Sequence, residues 1–168
     1  MGIKFVGLGT GRCGTKSLAA LFREHGLVCT HEELPHLPWE FNEGQIEERY
    51  KKIRRGEGDV AFYYLPYAEL LLSRGVKMVC MKRNKEDTVK SFIKKLDGRN
   101  HFNNTGNTMD KCFPNYQMDI EPALNRYWDE YYFLSETYER DYPHLFRVFD
   151  IDTLNTDKES ILEFIHAR

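Results

Sequence analysis

A glycine-rich segment near the start of the chain carries the residue types that bind anions. It runs Gly9-Thr10-Gly11-Arg12-Cys13-Gly14-Thr15-Lys16-Ser17. Glycines let the backbone curl so that successive N–H groups point to one place, and a helix that begins there adds partial positive charge. The segment therefore predicts a site for a phosphate or a sulfate group.

Two nucleotide-binding patterns fit this segment only in part. The phosphate loop of nucleoside triphosphatases needs Lys directly after its last glycine, but Thr15 separates Gly14 from Lys16. The Gly-x-Gly-x-x-Gly pattern of dinucleotide-binding folds is also present, with Glu32 or Glu33 about 20 residues further on. Both alternatives stay open at this point, as does one in which the glycines only turn the chain.

A second basic segment follows the most apolar stretch of the chain. Val76–Met81 is predicted as a buried strand, and Lys82 and Arg83 come directly after it. A basic strand exit suits a second anion and would repel a divalent cation, so we expect no metal ion. Asp150 and Asp152 keep a Mg²⁺-dependent P-loop kinase or nucleotidase open as an alternative.

The elements that must position these segments alternate along the chain. Strands are predicted at Ile3–Leu8, Leu27–Thr30, Asp59–Tyr64, Val76–Met81 and Leu145–Phe149. Helices are predicted at Thr15–His25, from the Asn42 cap to Arg55, at Leu65–Arg74, Lys85–Leu96 and Glu121–Tyr142, and from Asp157. The stretch from Gly98 to Ile120 is expected to be a long loop of the kind that forms lids. This alternation predicts an α/β fold of three layers, α/β/α, with a central parallel sheet, as in P-loop NTPases.

Length, composition and charge limit the class of protein. The 168 residues are 41% hydrophobic, so one domain over residues 1–168 is expected, with neither disulfides nor a structural metal. The 24 basic residues nearly balance the 26 acidic ones, which argues against nonspecific nucleic-acid binding. The four cysteines form no C-x-x-C pair and are expected to be reduced and mostly buried. With neither a signal peptide nor a membrane-spanning stretch in the sequence, we expect a cytoplasmic protein that binds no membrane.

The first segment resembles the donor loop of the sulfotransferases that use 3'-phosphoadenosine 5'-phosphosulfate (PAPS). That loop has a basic residue, a small residue, Gly, Thr and then a hydroxyl residue, and Arg12-Cys13-Gly14-Thr15 follows the pattern. Lys16 departs from it, while Ser17 supplies a hydroxyl one position later. The resemblance implies a catalytic Arg12 that stabilises the bridging oxygen, and a donor site formed by Arg12, Cys13, Gly14, Thr15, Lys16 and Ser17.

A second motif of the same family is a strand that ends in Arg, with a Ser eight positions later on the next helix. Arg83 and Ser91 have this spacing, although Asn84 replaces the proline that the family has after the arginine. The resemblance implies that Arg83 and Ser91 bind the 3'-phosphate of PAPS and of the product, 3'-phosphoadenosine 5'-phosphate (PAP). It extends well from Ile3 to about Lys95, and further on only in the order of elements.

A catalytic glutamate forms the third point of resemblance, to the carbohydrate and tyrosylprotein branches of the family. It follows the first loop by about one helix and a short strand, where this chain has Glu32. His31, Glu33 and His36 are close enough to compete for the role. The resemblance implies in-line displacement, in which this base takes a proton from an acceptor hydroxyl while the oxygen attacks sulfur.

The acceptor is the least specified part of this interpretation. His31–Phe41 and Arg99–Tyr116 are expected to line its cleft, and their aromatic residues suit a carbohydrate, a small molecule or a peptide. The family's basic loop near the C-terminus has no clear counterpart before Arg168, so we expect a minimal version or a chain that lacks part of the enzyme. A non-catalytic nucleotide-binding module also stays open, with aromatic residues of Tyr127–Phe133 as its interface, although packing of that helix onto the sheet is favoured.

Overall fold

Five short strands form one parallel sheet at the centre of the molecule. The computed structural model describes residues 2–53 and 57–167. The strands are β1 (Phe5–Leu8), β2 (Cys29–His31), β3 (Gly58–Val60), β4 (Lys77–Lys82) and β5 (Phe146–Asp150). They pair in the order β2-β3-β1-β4-β5, and every pairing is parallel. Because parallel strands need crossover connections, helices must cover the faces of such a sheet.

Helices cover both faces. They are α1 (Thr15–Glu24), α2 (Glu43–Lys52), α3 (Ala68–Ser73), α4 (Lys85–Leu96), α5 (Ile120–Asp141) and α6 (Leu154–His166). The buried residues of α1 and α6 form one apolar cluster with Val79 and Met81 of β4. Those of α2 to α5 form the other cluster with Met78 and Cys80, since successive side chains of a strand point to opposite faces. The predicted three-layer α/β/α fold with a parallel sheet is therefore confirmed.

The sheet order brings the two basic segments together. β1 lies at the centre, with β3 on one side and β4 on the other, and Leu8 pairs with Cys80. The chain therefore leaves the carboxyl ends of β1 and β4 side by side, at Gly9 and Lys82. β1 connects through α1 to β2 on one side, whereas β4 lies on the opposite side. Open α/β sheets bind ligands at such a point of divergence.

The strand predicted at Asp59–Tyr64 is wrong beyond Val60. Residues Phe62–Tyr67 form a 3₁₀ helix that contains Pro66, and the α-helix predicted from Leu65 begins only at Ala68. The aromatic run suggested a strand because aromatic residues favour strands. Tertiary burial decides otherwise here, because five of the six side chains in this turn are buried.

Three smaller differences concern element ends and the long loop. The last helix begins at Leu154 instead of Asp157, because the Asp150 side chain caps a 3₁₀ turn that runs directly into it. Asn42 caps α2 as predicted, by accepting a hydrogen bond from the Gln45 N–H. The helix ends at Lys52, because Ile53 is extended, so it stops short of the predicted end at Arg55, which lies outside the described residues. The stretch from 98 to 120 contains two 3₁₀ turns and buries Phe102.

Candidate functional site

A cavity of about 410 Å³ lies at the carboxyl ends of the strands. Its polar wall comes from the glycine-rich loop, from the end of β2 and from the end of β4, while Phe62, Phe92, Phe113 and Ile151 form apolar surfaces. Of its described lining residues, four are cations and one is a carboxylate: Arg12, Lys16, Arg83 and Lys95 against Glu32. This excess of positive charge favours a ligand with several negative charges.

The glycine-rich loop has the backbone geometry of an anion site. The first bond within α1 runs from the Leu18 N–H to the Gly14 carbonyl, 2.9 Å away, so the N–H groups of residues 15–17 point out of the helix end. Gly14 has φ +94°, and a Cβ there would lie 2.6 Å from Ile151 Cδ1. Arg12 has φ +56° although it is not glycine, a strained conformation that is typical of functional sites.

Two tyrosines of α5 hold the start of this loop and the neighbouring end of β4. The Tyr131 hydroxyl accepts a hydrogen bond from the Gly9 N–H and donates one to the Phe62 carbonyl, each at 3.0 Å. The Tyr132 hydroxyl donates to the Met81 carbonyl at 2.7 Å. Burial raises the pKa of both phenols well above the usual value, so they stay protonated as donors. The aromatic helix thus packs onto the sheet, as favoured from the sequence, and it also fixes the loop.

Two further residues of α5 reach both basic segments. The Tyr127 hydroxyl donates to the Thr10 carbonyl at 3.3 Å, and the Trp128 Nε1–H donates to the Arg83 carbonyl at 3.0 Å. One rigid helix therefore sets the position of both strand exits. These hydrogen bonds could not be predicted from the sequence, because a helical pattern of aromatic residues predicts only a buried face.

Arg12 connects the two segments directly. Its Nε–H donates to Ser91 Oγ at 3.0 Å, and Arg83 Nη1–H donates to the Arg12 carbonyl at 3.2 Å. Arg12 and Arg83 line the cavity, whereas Ser91 is reached through the Arg12 side chain. The structure thus brings together residues that the sequence analysis took from two separate motifs.

Glu32 and His31 enter the cavity from the end of β2. Glu32 has φ +55°, and its N–H donates to the Val60 carbonyl at 3.2 Å. His31 Nε2 lies 3.3 Å from Thr15 Oγ1, which places the imidazole against the first residue of α1. A carboxylate and an imidazole therefore line the same cavity as the anion loop.

The other two candidate bases lie elsewhere. Glu33 is exposed and forms an ion pair with Arg23, with 2.8 Å between Oε1 and Nη2. The His36 ring packs 5.3 Å from the ring of Tyr63 and does not line the cavity. Of the four sequence candidates, Glu32 and His31 line the cavity, whereas Glu33 and His36 do not.

Two residues of the predicted donor loop, Cys13 and Ser17, do not line the cavity, and neither does Ser91. Cys13 is fully buried in the cluster of α1 and α6, and this burial raises the pKa of its thiol. Ser17 is exposed and lines a separate shallow groove with Leu154 and Lys158. Cys13 and Ser17 can therefore contribute to an anion site in this loop only through their backbone N–H groups. All four cysteines are free and buried, which confirms the expectation for the thiols.

The sequence did not point to four of the cavity residues, Phe62, Phe92, Lys95 and Ile151, and it covered Phe113 only within the expected cleft segment Arg99–Tyr116. Lys95 could have been found from Ser91, because residues four apart lie on the same face of a helix. Phe113 lies in a segment without periodicity and gave no such signal. Its ring stacks on Phe62 at 4.8 Å and on His101 at 5.5 Å between centroids, which makes a flat wall.

Contacts within the segment from 98 to 120 hold that wall in place. His101 Nδ1 lies 2.7 Å from Asp110 Oδ1, and the Thr105 N–H and hydroxyl donate to Asp110 Oδ2. Burial alone would raise the pKa of Asp110, but these hydrogen bonds outweigh it and hold the pKa below its usual value. The Trp39 N–H donates to the Lys111 carbonyl at 2.7 Å, which ties this segment to the one after β2.

A second cavity of about 370 Å³ lies between these two segments. Phe113 lines both cavities, so its ring forms a shared boundary. Trp39 and Glu40 come from the segment after β2, and Asn104 and Asn115 from the long loop. The two segments expected to form an acceptor cleft therefore do form a cavity together, although exposed Phe41 packs against Tyr67 instead of lining it.

The carboxylates near the strand ends are engaged elsewhere. Asp59 of β3 forms a buried ion pair with Arg49 at 2.9 Å and accepts hydrogen bonds from Tyr64 and Thr30. Asp150 at the end of β5 accepts the Asp152 N–H at 2.9 Å. In residues 2–53 and 57–167 no group of three or more His, Cys, Asp or Glu side chains could hold a metal ion. No helix in the same part of the chain is long and apolar enough to span a membrane.

The solved structures that share this fold include the following two. The match to mouse sulfotransferase SULT7A1 in complex with PAP has a TM-score of 0.62 and 14% identity, and covers 97% of this chain and 58% of that one. The match to the YorR protein of Bacillus subtilis in complex with phosphorylated GDP has a TM-score of 0.57 and 12% identity, and covers 98% of both chains. This chain thus spans 58% of the mouse sulfotransferase. At these identities the likeness shows the fold alone. No family model and no curated protein matches the sequence.

Proposed function

We propose that this chain is a sulfotransferase that moves a sulfuryl group from PAPS to a hydroxyl acceptor. The observation that carries the proposal is the contact between the two basic segments, in which Arg12 bonds Ser91 and Arg83 bonds the Arg12 carbonyl. Two anion sites at adjacent strand ends suit a nucleotide with phosphate groups on both sides of its ribose. The shared fold with a sulfotransferase solved with PAP supports the same assignment.

The glycine-rich loop is assigned to the phosphosulfate end of the donor. The N–H groups of residues 14–17 hold it, and the Thr15 hydroxyl and the Lys16 ammonium add charge-assisted hydrogen bonds. Cys13 contributes only through its backbone, because its thiol is buried. Arg12 stabilises the charge that develops on the bridging oxygen as the bond from sulfur to that oxygen breaks.

Glu32 is assigned as the general base. Its carboxylate takes the proton of the acceptor hydroxyl while that oxygen attacks sulfur in line with the bridging oxygen. The new S–O bond forms as the old one breaks, and PAP leaves with the electron pair. His31 is in hydrogen-bond contact with the Thr15 hydroxyl, and it is assigned to orient this Thr15 hydroxyl toward the donor.

The acceptor is assigned to the side of the cavity where Phe62 and Phe113 form a flat apolar wall. From there the second cavity extends between Trp39 and the amide side chains of Asn104 and Asn115. Aromatic rings and amides together bind hydroxyl-rich and planar groups. This composition suits a carbohydrate, a small molecule or a peptide.

A Mg²⁺-dependent kinase is the alternative function, and the shared fold with YorR bound to phosphorylated GDP is the observation that favours it. Such an enzyme needs a carboxylate at a neighbouring strand end to hold Mg²⁺. Asp59 is committed to Arg49 in the core, and neither Asp150 nor Asp152 lines the cavity. Among the described lining residues, Glu32 at the end of β2 is the one carboxylate, and four cations line the same cavity. The positive lining therefore supports the sulfotransferase over the kinase.

The test is a transfer assay with PAPS labelled at sulfur. The purified chain is incubated with a phenol, an oligosaccharide and a hydroxyl-bearing peptide, each with Mg²⁺ and with EDTA. Terminally labelled ATP serves as the parallel donor. We expect label to move from PAPS to at least one acceptor in EDTA as well as in Mg²⁺. Transfer from ATP alone, dependent on Mg²⁺, would support the kinase instead. PAP binding without any transfer would favour a non-catalytic module.

A further inference from the structure

We infer that Lys95 binds the 3'-phosphate of the donor and sets the preference for a nucleotide that carries this group. This inference rests on the proposed function and adds a residue that neither sequence motif contains. Lys95 lies on α4, lines the cavity and is exposed. It would complete a 3'-phosphate site with Arg83 and Ser91, so that one strand-to-helix unit supplies all three side chains.

Lys95 differs in its partners from three other lysines of β4 and α4. Lys82 pairs with Glu136, Lys85 with Asp129 and Lys90 with Glu86, at 2.5 to 2.7 Å. Lys95 has no hydrogen bond or ion pair to any residue within 2–53 and 57–167. Its ammonium is therefore uncommitted and lines a cavity in which cations outnumber carboxylates.

Helix geometry directs Lys95 toward the motif residues. Side chains of an α-helix lean toward its N-terminus, and residues four apart lie above one another on the same face. Lys95 follows Ser91 by four positions and Phe92 by three, so it lies between them around the helix axis. Its stem therefore covers the turn that carries Ser91, on the side of α4 that faces Arg12 and Arg83.

Ser91 is suited to share a phosphate with this lysine. Its Oγ accepts the Arg12 Nε–H, which leaves the Ser91 O–H as a donor for an anion. Arg83 donates one of its five guanidinium N–H groups to the Arg12 carbonyl, which leaves the others for an anion. A phosphate beside these groups would accept hydrogen bonds from a hydroxyl, a guanidinium and an ammonium, which is the charge-assisted set that binds such dianions strongly.

Calorimetry with two ligands isolates the contribution of the 3'-phosphate to binding. PAP and adenosine 5'-phosphate (AMP) differ only in that group, so their affinity ratio reports it. We expect Lys95→Gln to weaken PAP binding about tenfold, as for loss of a hydrogen bond to a charged group, with AMP binding little changed. Lys95→Arg should retain most of the preference. Lys94→Gln is the matched control, because Lys94 is exposed on the same helix and does not line the cavity.

The outcomes separate this inference from the proposed function. If wild-type protein prefers PAP over AMP and Lys95→Gln keeps the full preference, the inference is overturned while the proposed function stands. An equal loss of affinity for PAP and AMP would place Lys95 at the 5' end of the donor and would contradict the inference. Unchanged PAP affinity with reduced transfer would place Lys95 at the acceptor and would also contradict it. A wild type that binds PAP no better than AMP would overturn the proposed function itself. Circular dichroism and the unfolding midpoint check that each variant is folded.

Discussion

The Arg12 side chain reaches from the loop after β1 to Ser91 on α4, with 3.0 Å between its Nε and the serine Oγ. Because Arg83 also donates to the Arg12 carbonyl, the loop, the end of β4 and α4 form one connected unit. A change at any of these three residues should therefore affect ligand binding at both ends of the cavity. This coupling underlies the first prediction.

Replacement of Arg83 by glutamine should weaken PAP binding by about tenfold to a hundredfold. The variant loses a charge-assisted contact, which is worth about 1.5–3 kcal/mol, and it loses the hydrogen bond to the Arg12 carbonyl. Calorimetry measures the effect. Lys90→Gln is the control, because Lys90 pairs with Glu86 on the exposed side of α4. This variant should bind PAP as tightly as wild type does. Equal affinity of the Arg83 variant and wild type would contradict the donor site.

Replacement of Glu32 by glutamine should abolish most transfer without loss of donor binding. General-base catalysis contributes about 10²–10⁴ in rate, and removal of a negative charge from a cation-rich cavity should leave PAP affinity equal or higher. The transfer rate and the PAP affinity are measured on the same preparation. Glu33→Gln, at the exposed ion pair with Arg23, is expected to retain activity. If His31→Gln lost the general-base effect and Glu32→Gln did not, the roles assigned to the two residues would be reversed.

Replacement of Gly9 by alanine should destabilise the fold more than the same change at Gly26. A Cβ at Gly9 would lie 2.7 Å from the Met81 carbonyl oxygen and against the Cys13 sulfur, and the backbone there has φ +156°. Gly26 also has positive φ, at +77°, but no atom lies within 4 Å of its Cβ position. Denaturant unfolding should give about 1–2 kcal/mol for Gly26→Ala, from backbone strain alone, and clearly more for Gly9→Ala. Equal losses would show that close packing around the loop has no energetic role.

The stability of the protein should fall at acid pH in part through Asp110. Its pKa is below the usual value in the folded state, so the carboxylate contributes stability above the unfolded pKa of about 3.9 and loses it as the pH falls toward the folded pKa. As the pH is lowered from about 6 to about 2.5, the free energy of unfolding should decline less steeply for Asp110→Asn than for wild type. A slope for Asp110→Asn equal to that of wild type would contradict this role.

The sequence predicts the fold well because its strands and helices are strongly patterned. Val76–Met81 and Lys85–Leu96 appear within a residue of their predicted bounds, since an apolar run and a helical period leave few alternatives. The run Phe62–Tyr67 could not be predicted in this way. Its conformation depends on burial of aromatic rings against residues far away in the chain, and local preference for strands points in the wrong direction.

The candidate site is predictable where spacing alone fixes position. Arg12, Arg83 and Ser91 come together because adjacent parallel strands end at one edge of the sheet. Cys13 and Ser17 show the limit of such reasoning, because a loop motif assigns residues but not the direction of each side chain. Phe113 depends on the tertiary contacts of an irregular segment, which no periodic pattern encodes.

The most direct test of the account is a comparison of three nucleotides by calorimetry: PAP, AMP and ATP, each in Mg²⁺ and in EDTA. We expect PAP to bind more tightly than AMP and ATP, with the same affinity in both buffers, because the proposed site holds phosphate on both sides of the ribose with Arg83, Ser91 and the glycine-rich loop. Tighter binding of ATP that requires Mg²⁺ would contradict it.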